Sequence, residues 1–211
     1  MEISLWIVVG AAFLTAVMTG VGALPFLVVR ELGRGTLGWS NAAAAGLMLA
    51  ASHGLISEGV AIGVAPTLAG VLLGLGAILL ADRLLARAGE VEVAELQGAS
   101  AAKALLILGI MTAHSFAEGV GVGVSFAGSE GLGAFITTAI AFHNVPEGLA
   151  IALVLVPRGT PVWKAALWAV FTSLPQPLMA APSYLFVEIF EPFLPVGLGL
   201  AAGAMIWMVF A

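Results

Sequence analysis

Ala141-Phe142-His143-Asn144-Val145-Pro146-Glu147-Gly148-Leu149-Ala150 sets an imidazole, an amide and a carboxylate inside an apolar run that reaches from Gly131 to Pro157. An ionisable side chain at membrane depth costs roughly 2.5 kcal/mol or more, so such residues face a bundle interior and mark an ion or substrate path. On a helix, His143 and Glu147 are four residues apart and stack on one face, with Asn144 beside them. Pro146 has no N–H and its ring crowds the carbonyl of Phe142, which predicts a kink and a freed backbone oxygen. Such a loosened backbone is tolerated in lipid only where protein buries it or it lines a cavity.

The whole chain shares this character. Of its 211 residues, 61% are hydrophobic and 9% charged, and the mean hydropathy of +1.14 lies outside the range of soluble domains. The composition is that of a polytopic membrane protein whose constant partner is the lipid bilayer. With no cysteine, disulfides and thiolate metal sites are excluded, leaving His, carboxylate, amide and Met as ligands. The formal charge of −5 argues against nucleic acid as a partner.

Spanning takes about 20 apolar residues. Seven candidates occur: Ile3–Val29, Trp39–Val60, Ala61–Ala81 (or from Pro66), Ala104–Ala127, Leu132–Val156, Val162–Val187 and Val196–Ala211. The first has no basic residue before it and is too long for a cleaved signal peptide, so it is expected to stay in the mature protein. Residues 82–103 alone have a soluble composition and form the predicted loop between spans three and four. The expected fold is therefore an all-α bundle of seven transmembrane helices forming one domain over residues 1–211. All seven basic residues, Arg30, Arg34, Arg83, Arg87, Lys103, Arg158 and Lys164, then fall on one side. The positive-inside rule makes that side cytoplasmic, with the N-terminus outside and the C-terminus inside.

Each of the three histidines lies in a span and is followed by Glu-Gly. His114 leads to Glu118-Gly119 and His143 to Glu147-Gly148, both spaced His-x-x-x-Glu-Gly in consecutive, antiparallel spans. If both motifs face the bundle axis, two imidazoles and two carboxylates converge into a first shell suited to a divalent metal such as Zn²⁺. Hard Mg²⁺ or Ca²⁺ prefers oxygen alone. The alternative is a pair of core histidines bonded to carbonyls beside protonated glutamates, which two matched pairs in adjacent spans disfavour. His53 and Glu58 are five apart and point about 140° from each other, since each helical residue turns about 100°. They cannot chelate one ion from one regular helix, and an entrance or relay role stands beside a structural pair near the outer interface.

His143-Asn144-Val145-Pro146-Glu147-Gly148 and His114-Ser115-Phe116-Ala117-Glu118-Gly119 resemble the paired metal motifs of the fourth and fifth helices of the ZIP divalent-metal transporters. They look most like the bacterial GufA-like branch. The stretch Gly46 to Ser52 and the stretch Gly197 to Met205 look like that family's second and seventh helices. The resemblance implies a primary site of His114, Glu118, His143 and Glu147, with Met48 a further candidate ligand. It implies an adjoining second site at the positions occupied here by Ser115, Asn144 and Gln176. Ser115 replaces the usual Asn, Ala117 the usual Pro and Gln176 the usual Glu. With one carboxylate fewer, two close dications would be poorly neutralised, so one metal is expected. The resemblance also implies eight helices, one more than the seven found, so the chain reads as a truncated form or as a member that does without the last.

The expected function is transport of a divalent transition metal, zinc first and Fe, Mn, Co or Cd as other candidates, into the cytoplasm across a bacterial inner membrane. No resident cofactor is expected. The resemblance implies an elevator-like movement, with Gly119, Gly148 and Pro146 as candidate flexible points, and a candidate homodimer. An intramembrane metalloenzyme would keep an open coordination position and a separate base, but no His-Glu-x-x-His occurs and every convergent carboxylate is already a ligand. A metal-binding sensor that moves nothing is the third reading.

Overall fold

The computed structural model describes residues 4–29, 33–86 and 101–210. Eight α-helices run in order among the described residues: α1 (Leu5–Val21), α2 (Arg34–Ile62), α3 (Val64–Ala86), α4 (Ala101–Gly128), α5 (Glu130–Leu155), α6 (Val162–Ser173), α7 (Pro175–Ile189) and α8 (Leu194–Phe210). Among the described residues, five stretches are long and apolar enough to cross a membrane: Leu5–Leu27, Gly35–Ile62, Val64–Ala81, Glu130–Arg158 and Glu191–Phe210. The chain is a multi-pass membrane protein.

Local chemistry sets the breaks. Ser129 is the one residue between α4 and α5, and its Oγ accepts from the Leu132 N–H at 3.1 Å, capping α5. The α2–α3 break falls at Gly63, whose backbone is extended, rather than at Ala61 or Pro66 as expected. Pro66 lies inside the first turn of α3, where a missing N–H costs nothing. The expected sixth span is divided: α6 and α7 are separated by Leu174 alone. Pro175 and Pro177 offer no N–H to the carbonyls of Phe171 and Ser173, and Phe171 instead accepts from Leu174 N–H at 3.2 Å.

α5 continues through Pro146 from Glu130 to Leu155. The predicted loop 82–103 is helical at both ends, because α3 extends to Ala86 and α4 begins at Ala101. Its middle, residues 87–100 with Arg87, lies outside the described residues, as do residues 1–3, 30–32 (with Arg30) and 211.

The helices pack as two groups. α1, α4, α5, α6 and α7 surround one another, α8 lies on α2 and α3, and the groups meet where α2 crosses α5 and α8 crosses α4. Lipid provides no hydrophobic drive between helices, so close backbone approach through small residues holds them. At the α3–α8 seam a Cβ added to Gly74 or Gly199 would stand 2.1 Å from the carbonyl oxygen of Leu200 or Thr67. Met48, Leu55, Ile136, Ile140 and Leu198 belong to the buried core that joins the groups.

Candidate metal centre

The two His-x-x-x-Glu-Gly motifs fall in the middles of α4 and α5. Glu118, His143 and Glu147 each present one ligand atom, and the three atoms lie within 4.8 Å of one another. His143 Nε2 is 3.6 Å from Glu118 Oε1. Glu118 is fully buried and Glu147 is 8% exposed. Glu118 Oε1 and Glu147 Oε2 are buried atoms that meet no hydrogen-bond partner among the described residues. Buried lone pairs left unused are costly, and a cation bound among them removes that cost.

His114 stands outside this trio, one turn along α4 from Glu118 and within electrostatic reach of Glu118 and His143. Three of the four expected primary side chains are therefore brought together. Met48 is buried with Leu55 and Ile140 in the core shared by α1, α2, α4, α5, α7 and α8. Ser115 is fully buried beside the motif on α4, its Oγ without a partner among the described residues. On α2, His53 is exposed and Glu58 half-buried, so the two occupy different surroundings, as their spacing predicts.

Asn144 and Gln176 meet each other. Asn144 Nδ2 donates to the backbone oxygen of Thr15 at 2.8 Å and to Gln176 Oε1 at 3.2 Å. Gln176 Nε2 donates to Glu118 Oε2 at 2.6 Å. Thr15, on α1, places its hydroxyl 2.5 Å from Gln176 Oε1. Sequence reasoning missed Thr15. The available signal was the pair Thr15 and Thr19, four apart in an otherwise apolar span; Thr19 in turn pairs with Ser173 at 2.8 Å.

The glycines after the glutamates explain how these groups reach one another. A Cβ on Gly119 would come 2.5 Å from the Gln176 carbonyl oxygen, and one on Gly148 would come 1.6 Å from that of Thr19. Gly59, after Glu58, faces the Thr67 side chain at 2.8 Å in the same sense. Gly119 and Gly148, the candidate flexible points, are tight contacts: each sits where a neighbouring backbone excludes any side chain.

Comparison with known proteins follows the same lines. The family model of the ZIP zinc transporters matches residues 82–211. The zinc transporter GufA of Myxococcus xanthus is 34% identical over 94% of this chain and 84% of its own length. The chain belongs to the ZIP family. An Arabidopsis thaliana protein named for zinc transport, At3g08650, is 50% identical over 93% of this chain, which spans only 32% of that relative. The zinc transporter ZIPB of Bordetella bronchiseptica is 39% identical over 54% of this chain and 38% of its own. These ZIP relatives are named as transporters and not as enzymes, in line with the expectation for this chain. The matched region holds α4 to α8, and with them every ligand-type residue of the trio, whereas Thr15 and Met48 come from outside it.

Proposed function

We propose that this ZIP chain carries a divalent transition-metal ion, zinc first, into the cytoplasm across a bacterial inner membrane, through Glu118, His143 and Glu147. The observation that carries the reading is the convergence of their ligand atoms within 4.8 Å at the middle of two apolar helices. The two carboxylates supply charge against the ion's lost hydration, and the imidazole favours Zn²⁺ and its borderline neighbours over Mg²⁺. His114 and Asn144 Oδ1 are the nearby groups able to complete a shell of four, with Met48 and Ser115 as further candidates. Ligands must shed their protons to bind, so uptake exchanges metal for protons and weakens as the pH falls.

Access from either side follows if the α1/α4/α5/α6/α7 group shifts against α2, α3 and α8. The basic side of the sequence marks the cytoplasmic face, and inward movement and the homodimer belong to the same reading. Uptake into proteoliposomes at two pH values tests it, with His143→Ala and Glu147→Gln combined as the control. Saturable zinc uptake, lost in the double variant and needing more zinc at the lower pH, is the expected result. A folded chain that binds zinc and moves none overturns the transport reading in favour of a sensor.

A further inference from the structure

The amides near Glu118 have a fixed order. A backbone carbonyl cannot be turned round, and that of Thr15 accepts from Asn144 Nδ2 at 2.8 Å. This directs the Asn144 NH₂ toward α1, and the same NH₂ donates to Gln176 Oε1. The Thr15 hydroxyl lies against that oxygen too, its one proton shared with the Ala12 carbonyl at 2.7 Å. Gln176 Nε2 then has one direction left, and it donates to Glu118 Oε2 at 2.6 Å. Reversing Gln176 would set its NH₂ against the Asn144 NH₂ and its oxygen against a carboxylate, with all three groups fully buried.

We propose that Gln176 is a positioning residue for Glu118, held in one orientation by Asn144 and Thr15, so that Oε2 is tied and Oε1 is the oxygen turned to His143. This rests on the transport reading only for its consequence in uptake. An N–H donor offers no lone pair to a cation, and Gln176 Oε1 is turned to the Asn144 NH₂ and the Thr15 hydroxyl while its NH₂ is turned to Glu118, so Gln176 ligates no second ion and the site takes one. The anchor is the backbone of α1, and the relay runs through α5 and α7 to α4, all within one packed group. Glu118 therefore keeps its orientation when that group moves.

The chain has two glutamines, Gln97 and Gln176, so glutamine labelled with ¹⁵N gives two side-chain NH₂ signals, assigned by loss of one in Gln176→Leu. In metal-free protein the Gln176 protons should exchange with solvent far more slowly than those of free glutamine and shift in Glu118→Ala and in Thr15→Val. Thr15→Ser should restore the native signal. A Gln176 signal that exchanges as fast as free glutamine, or that ignores Thr15→Val, overturns the relay. Gln176→Leu should raise the zinc KM about tenfold, as loss of a group that orients a ligand does, with one Co²⁺ bound per chain before and after. Two Co²⁺ in the native chain falling to one in Gln176→Leu would make Gln176 a ligand and overturn the proposal. The amide signal is read without metal, so it decides the relay even where uptake fails and the transport reading falls.

Discussion

The α3–α8 seam and the seams around Glu118 use the same backbone device for different ends. In both, glycines let two helices approach until a Cβ would overlap a carbonyl oxygen: Gly70, Gly74, Gly199 and Gly203 in one, Gly22, Gly119 and Gly148 in the other. Around the first, the flanking side chains are apolar apart from Thr67, whose hydroxyl donates to the Gly63 carbonyl of its own chain turn. Around the second, Gly119 and Gly148 each follow a glutamate and face a residue with a polar side chain, Gln176 and Thr19. Close approach alone makes a staple. Close approach beside Glu118, Asn144 and Gln176 makes a polar centre in lipid, and the difference is carried by a few residues adjacent to the glycines.

That contrast can be broken most severely at the carboxylate itself. Glu118→Ala removes the ligand shared by the trio and the relay, and zinc uptake should fall by about 100-fold or more, while the melting temperature in detergent stays within a few degrees of native. A Glu118→Ala chain with near-native uptake would show that the polar centre is as structural as the α3–α8 seam.

A middle-sized effect separates the two seams directly. Gly119→Ala and Gly74→Ala should each destabilise by about 1–3 kcal/mol or more, since a methyl is forced against backbone. Only Gly119→Ala should also weaken zinc binding in the fraction that remains folded, because it pushes Gln176 from Glu118. Equal loss of binding in both variants would mean that stability, and not position, governs the site. The smallest effect is expected at Ser115, buried with an Oγ that bonds nothing described. Ser115→Ala should leave stability equal or slightly higher, because removing an unsatisfied buried hydroxyl costs little, and zinc KM decides its place in the shell: unchanged if His114 and Asn144 complete it, raised if that hydroxyl is a ligand.

Much of this was legible in the sequence, for reasons that are local. Apolar length marks a span, Gly and Pro mark its ends, and a histidine four residues before a glutamate marks a helix face. The convergence of Glu118, His143 and Glu147 followed from two matched motifs on antiparallel helices. What escaped depended on neighbours distant in sequence. His114 shares the motif of His143 but stands outside the trio, which depends on how α4 and α5 are rotated about their axes. Thr15 matters only because Gly22 and Gly148 bring α1 onto α5, over a separation of more than a hundred residues. The division of the sixth span was written in Pro175 and Pro177, yet that Gln176 would open α7 as a donor to Glu118 required the partner to be seen.

Ser129 carries a last consequence. With one capped residue joining them, α4 and α5 cannot slide past each other along the membrane normal, so the depth of Glu118 relative to His143 is locked as though by a pin. An ion held between them rides with both helices at once. Exposure to one face of the membrane or the other must then be decided by what surrounds this hairpin, and not by any parting of its two arms.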